Sequence, residues 1–82
     1  MEAIALFHND DVGFERWLEE HPDGYVLNVY RVGRVHTARC KSYRSAGPRM
    51  TYTRAKACST SIQQLFEYAE REGIDATRCA LC

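Results

Sequence analysis

Apolar residues recur with helical spacing in two stretches of this 82-residue chain. The first stretch carries Phe14, Trp17 and Leu18 at positions i, i+3 and i+4, with His21 on the same face at i+7. This period predicts a helix with one buried face that ends near Glu20. Asn9 or Asp10 precedes the pattern with a side-chain oxygen that can cap the amides of the first turn.

The second helical pattern lies toward the C-terminus and consists of Ile62, Leu65, Phe66 and Ala69. Thr60 and Gln63 fit a capping box at its start. Gly73 follows the last turn and can take the left-handed conformation that ends many helices.

The stretches between the two helices alternate in the manner of strands. Residues 25–31 predict one strand and residues 51–57 another, each with two alternating sets of side chains. Residues 34–37 predict a strand that returns from a tight turn at Val32-Gly33. We therefore expect an α+β fold, with a short antiparallel sheet of about three strands packed with two helices.

The length predicts one small domain over residues 1–82, with an N-terminal helical segment at 1–23 and a core at 24–82. A chain of this size buries only about 60% of the surface that its unfolded form exposes, so small folds often need a staple. The sequence has no apolar run near the ~20 residues of a membrane span and no recognisable secretory signal. We expect a soluble, cytoplasmic protein that binds no membrane.

Two close pairs of metal-ligand residues offer such a staple: His36, Cys40, Cys79 and Cys82. Two pairs from distant parts of a short chain are a common way to present four ligands to one tetrahedral ion. Thiolate together with imidazole favours zinc. We expect one structural Zn²⁺ held by these four side chains.

Three alternatives stay open at this point. Cys58 could replace His36 and give an all-cysteine site, or it could be a small buried residue. The four cysteines could instead form two disulfides, although no oxidising compartment is indicated. A redox role for the Cys79-x2-Cys82 pair is also conceivable, but no helix begins there to lower a thiol pKa.

The ligand spacing His36-x3-Cys40 … Cys79-x2-Cys82, with a helix just before the second pair, resembles the Ada-type metal-binding domain. The resemblance covers roughly residues 25–82 and implies one zinc bound by two ligand pairs beside a small sheet and helices. The chain is also similar to small bacterial domains with a strand like Gly24-Tyr25-Val26-Leu27-Asn28, a Val-His-x3-Cys segment and a Lys-x-Cys-Ser segment.

One departure from the Ada pattern bears on activity. The first cysteine of that family's first pair accepts a methyl group in DNA phosphotriester repair, and His36 stands at this position here. Imidazole cannot replace a zinc-activated thiolate as the acceptor, and no paired carboxylates or Ser/His/Asp set stands out. We therefore expect no enzymatic activity.

The formal net charge of +0 conceals a strong segregation of charge. Residues 31–56 contain eight basic residues and no acid, whereas acids predominate on both sides of this segment. Interleaved tyrosines suggest nucleic-acid binding, with DNA favoured. The candidate contacts are Arg39, Lys41, Arg44, Arg49, Arg54 and Lys56. A protein-interaction or regulatory module with a structural zinc is the alternative function.

Overall fold

The structure is a computed structural model that describes residues 4–40 and 50–79. Its elements, in chain order, are β1 (Ala5–Phe7), α1 (Asp11–Glu20), β2 (Tyr25–Asn28), β3 (Val32–Thr37), α2 (Met50–Thr53), β4 (Lys56–Ser59), α3 (Ile62–Glu72) and β5 (Asp75–Arg78). The predicted α+β class is confirmed. In the part of the chain that the structure describes, no helix is long and apolar enough to cross a membrane.

The sheet has five strands in the order β1-β4-β2-β3-β5, which corrects the expected count of about three. Neighbouring strands are antiparallel except β3 and β5, which are parallel. The two extra strands lie at the edges. They are short, and β5 is largely exposed, so neither carries the strong alternating apolar pattern of a half-buried strand.

The two long helices cover opposite faces of this sheet. On one face, Phe14 and Leu18 of α1 pack in a buried cluster with Val26 of β2. On the other, Leu65 of α3 packs with Leu27 of β2. Successive residues of a strand point to opposite faces, so the alternation predicted for β2 explains why both helices find an apolar surface.

The helix ends follow the sequence signals closely. Asp10 caps α1, as predicted, by accepting a hydrogen bond of 2.9 Å from the backbone N–H of Gly13. Gly73 ends α3 with a left-handed φ of 71°, also as predicted. The N-cap of α3 is Ser61, which accepts from Gln64 N at 3.4 Å, and the expected capping box one residue earlier at Thr60 is wrong.

Three strand boundaries differ from the sequence prediction. The strand predicted over residues 25–31 ends at Asn28. Residues 51–57 do not form one strand, because Met50–Thr53 makes a helical turn and β4 begins only at Lys56. Val32 and Gly33 belong to β3 itself, so the hairpin turn lies just before them. A Cβ at Gly33 would lie 2.5 Å from the carbonyl oxygen of Asn28, so the close approach of these two strand ends requires glycine.

Candidate metal centre

His36 lies near the end of β3, on the sheet face that α1 covers. Strand pairing sets His36 opposite Val26, which in turn lies opposite Cys58, with Ala5 at the far edge of the same row. Val26 and Cys58 both belong to the cluster beneath α1. The imidazole is therefore presented from a paired strand and is 6% exposed.

The parallel pairing of β3 with β5 brings Cys79 to His36. Val35 pairs with Arg78, and the Cys79 N–H donates to the Val35 carbonyl at 2.9 Å. One position further along this register, His36 and Cys79 are neighbours. Cys79 thus reaches the site from a distant part of the sequence because it directly follows the edge strand β5.

Cys40 reaches the same place through the turn after β3. The Ala38 N–H donates to the Gly24 carbonyl at 2.9 Å, and the Cys40 N–H donates to the Thr37 carbonyl at 3.0 Å. These bonds fold the chain back toward the face that carries His36. Cys40 is buried in the cluster beneath α1 together with Cys79.

The ligand atoms of His36, Cys40 and Cys79 all lie within 4.8 Å of one another. In a tetrahedral zinc site, bonds of about 2.3 Å separate two sulfurs by roughly 3.8 Å, so a modest contraction would bring these atoms onto one ion. The structure therefore brings together three of the four predicted ligands. Cys82, the fourth, lies outside the described residues.

The surroundings of His36 favour the neutral imidazole that a metal requires. Burial is the main cause that lowers the pKa of His36, and the positive charges of Lys56 and Arg34 act in the same direction. A metal ligand must carry a lone pair that no proton occupies. The site therefore holds its histidine in the form that can bind.

Cys58 lies apart from this group. In the sheet, β2 separates β4 from β3, so Val26 stands between Cys58 and His36 in their common row. Burial raises the pKa of the Cys58 thiol to about 12, although the charge of Lys56 opposes the shift. Such a thiol stays protonated, and it fills the core beneath α1 as a small apolar side chain.

The redox form of the cysteines matters for any metal. Cys40 is disulfide-bonded in the structure, whereas Cys58 and Cys79 are thiols. A sulfur in a disulfide offers no thiolate to a metal. The disulfide form and a metal-bound form are therefore two alternative states of Cys40.

The structure describes three of the six predicted nucleic-acid contacts, and these three differ in their exposure to solvent. Lys41, Arg44 and Arg49 lie outside the described residues, and Arg39 and Arg54 are exposed.

The expectation for Lys56 requires a correction because its side chain is 6% exposed. Lys56 belongs to β4, an interior strand of the sheet, and its side chain lies on the face covered by α1. Burial lowers its pKa first, and Arg54 lowers it further.

A groove that the sequence did not reveal lies on the opposite face of the sheet. It brings Leu6 of β1 and Tyr68 of α3 beside Tyr30 and Arg54. These residues are far apart in sequence, so no local motif could have shown the groove. The only signal along the chain was the interleaving of tyrosine with arginine in the basic segment.

No protein-family model, curated protein or solved structure matches this chain. Nothing in these comparisons identifies an Ada-type domain, so that resemblance stays a prediction from the ligand spacing.

Proposed function

We propose that this chain is a small structural-zinc domain with one Zn²⁺ bound by His36, Cys40, Cys79 and Cys82. The observation that carries the proposal is the convergence of three buried ligand atoms, within 4.8 Å, from two distant parts of the chain. Cys82 supplies the fourth ligand because a Cys-x2-Cys pair is a usual zinc-ligand spacing.

The metal-bound form accounts for more of the cluster than the disulfide does. A disulfide involves only two sulfurs and gives no reason for a buried imidazole beside them. Zinc uses imidazole and thiolate together, and it needs the neutral histidine that burial favours here. Three converging side chains of these types support a metal.

The role that fits this position is structural. The ligands follow β3 and β5, so the ion joins the end of an interior strand to the end of an exposed edge strand. Four protein ligands would leave no position for a reacting water. Structural zinc contributes about 10–16 kcal/mol in small fingers, which matches or exceeds the whole stability of a typical domain at about 5–15 kcal/mol.

Native intact-mass measurement without added reductant, together with zinc quantification, tests this function. We expect one zinc per chain and unfolding when a chelator removes it. A metal-free protein whose mass is lower by the protons of one or two disulfides would overturn the proposal and select an oxidised form. A zinc-bound chain that keeps its fold after chelation would contradict the structural role.

A second candidate function is nucleic-acid binding, with DNA favoured by the resemblance to Ada-type domains. The specific observation is that the exposed Arg54 lies with its Cζ 4.0 Å above the ring of the exposed Tyr30. Arg39 adds a further exposed cation, whereas Lys56 is too buried to contribute. Binding should weaken as salt increases, because each phosphate contact releases counterions. Affinity that is insensitive to salt would contradict this candidate.

The alternative to nucleic-acid binding is a protein-interaction or regulatory module with the same zinc. Its support is the segregation of charge between the acidic and basic segments, which suits a partner with complementary patches. Specific co-purification with one protein, without retention on DNA, would select this alternative.

A further inference from the structure

A groove lies on the α3 face of the sheet, where β1 and the end of β2 meet the start of β4. Its volume is about 480 Å³, within the range of small-ligand sites. Six of its lining residues carry the argument: Leu6, Val29, Tyr30, Arg54, Ala55 and Tyr68. Leu6 is 57% exposed and Tyr30 47%, so the groove offers apolar surface to a ligand.

The polar groups of the groove are aromatic rings and cations. Arg54 places its Cζ 4.0 Å above the Tyr30 ring. Tyr68 is buried, and Arg71, whose Cζ lies 5.9 Å from the centre of the Tyr68 ring, is not one of the described residues that line the groove. Among the residues that the structure describes, none of those that line the groove is Asp or Glu. The site therefore combines flat π surface, aliphatic surface and positive charge.

We propose that this groove binds an unpaired base of single-stranded nucleic acid, with a flanking phosphate near Arg54. This inference rests on the second candidate function and locates its stacking site. The face of a base can lie against Tyr30 or the guanidinium plane of Arg54, while Leu6, Val29 and Ala55 supply apolar contact. In a duplex that face is already covered by neighbouring bases, so the groove selects single strands.

Charge complementarity favours a nucleotide over an apolar peptide as the ligand of this groove. An apolar peptide lying in the groove would cover the guanidinium of Arg54 without supplying an anion, which costs desolvation free energy. A nucleotide covers the ring surface and places a phosphate beside the cation. One nucleotide therefore uses both chemical properties of the groove, the aromatic surface for stacking and the positive charge.

The test measures binding of the 82-residue, zinc-bound chain to a labelled thymidine oligonucleotide by fluorescence anisotropy. Tyr30→Ala should weaken binding by about 5- to 150-fold, the range for loss of one base–aromatic stack. Tyr30→Phe keeps the ring and should bind like the parent. Tyr52→Ala is a matched control, because Tyr52 is equally exposed at 47% and does not line the groove. Zinc content establishes that each variant is folded.

Two further probes examine the base and the phosphate separately. An abasic oligonucleotide of equal length should bind more weakly to the parent chain and with equal affinity to the parent and Tyr30→Ala. Arg54→Gln should weaken binding of both oligonucleotides and reduce the salt slope by about 0.7, the value for one phosphate contact on a single strand.

The outcomes distinguish this inference from the functions on which it depends. Salt-dependent binding that Tyr30→Ala leaves unchanged, or that Tyr52→Ala weakens equally, would overturn the groove while keeping nucleic-acid binding. Equal affinity for the abasic and thymidine oligonucleotides, or preference for a duplex, would also overturn it. A zinc-bound chain that binds no nucleic acid would remove both the second candidate function and the groove, but not the structural zinc.

Discussion

The carboxylate of Asp11 accepts two hydrogen bonds from Thr51, one from its backbone N–H at 2.8 Å and one from its hydroxyl at 2.6 Å. The Thr51 hydroxyl in turn accepts from the Asp10 N–H at 2.7 Å. Thr51 is fully buried. These hydrogen bonds hold α2 against the start of α1. They explain why residues 51–57 do not form one strand.

Replacing Thr51 with Val should lower the free energy of unfolding by about 1–3 kcal/mol, because it keeps the shape but removes both hydroxyl hydrogen bonds. Urea denaturation of the zinc-bound protein measures the change. Thr60→Val is the matched control, since Thr60 is exposed and should change stability by no more than about 0.5 kcal/mol. Equal effects of the two substitutions would contradict the role assigned to Thr51.

Cys79→Ala should reduce bound zinc to well below one per chain and unfold much of the protein, because it removes a ligand at the end of β5. Cys58→Ala is its control and should retain full zinc, with a loss of stability on the order of 1 kcal/mol from the smaller core side chain. Metal analysis and circular dichroism measure both results. Loss of zinc from Cys58→Ala would move Cys58 into the ligand set.

Acidification should release zinc and destabilise the fold. The folded state lowers the pKa of His36 below its ordinary 6.5, so below that pH the unfolded chain binds more protons than the folded chain. The free energy of unfolding therefore has its full value above about pH 6.5 and decreases as the pH falls through the lowered pKa of His36. Protonation of the metal ligands acts in the same direction. Zinc content and ellipticity measured against pH test this sign.

A His8→Gln control removes an exposed histidine outside the ligand group and should leave the zinc content unchanged. If stability instead increased as the pH fell from 6.5 to the lowered pKa of His36, that result would contradict the assignment of the imidazole as a metal ligand.

Lys56→Met should raise the free energy of unfolding by about 1 kcal/mol at neutral pH, because it replaces a buried ammonium with an apolar side chain of similar length. Burial lowers the pKa of Lys56, so the unfolded chain binds the proton more readily and the parent gains stability as pH rises toward 10.5. Thermal unfolding of both proteins at neutral and alkaline pH measures this difference, which should shrink in alkali.

The same substitution should leave any nucleic-acid affinity nearly unchanged, whereas Arg54→Gln should weaken it. Anisotropy titration compares the two. A large loss of binding in Lys56→Met would mean that the lysine reaches the surface after all.

The sequence predicts best what is decided locally. Both long helices follow from a four-residue apolar stripe, and the caps at Asp10 and Gly73 follow from side-chain and backbone chemistry within one turn. The placement of His36 on a strand end and Cys40 after the next turn is local in the same sense. These predictions needed no knowledge of the rest of the fold.

The sequence predicts less well what depends on distant contacts. All four residues of β4 are buried, because that strand has neighbours on both sides and a covered face on each, so it shows no polar alternation. The alternation over residues 51–57 therefore predicts the strand too early in the chain and predicts an exposed Lys56, whereas β4 begins at Lys56 and buries it. The parallel addition of β5 beside β3 has no local signal at all.

That parallel pairing also sets an order of events for the chain. A hairpin such as β2–β3 closes a short loop, whereas pairing of β5 with β3 closes a much longer one, so we expect β5 to join the sheet late. Cys79 reaches His36 only in that last step. Half of the ligand set is therefore assembled early and half late, so a high-affinity site exists only once the sheet is complete. Zinc binding and completion of the sheet would then occur together, so the rate of zinc capture would report the final stage of folding.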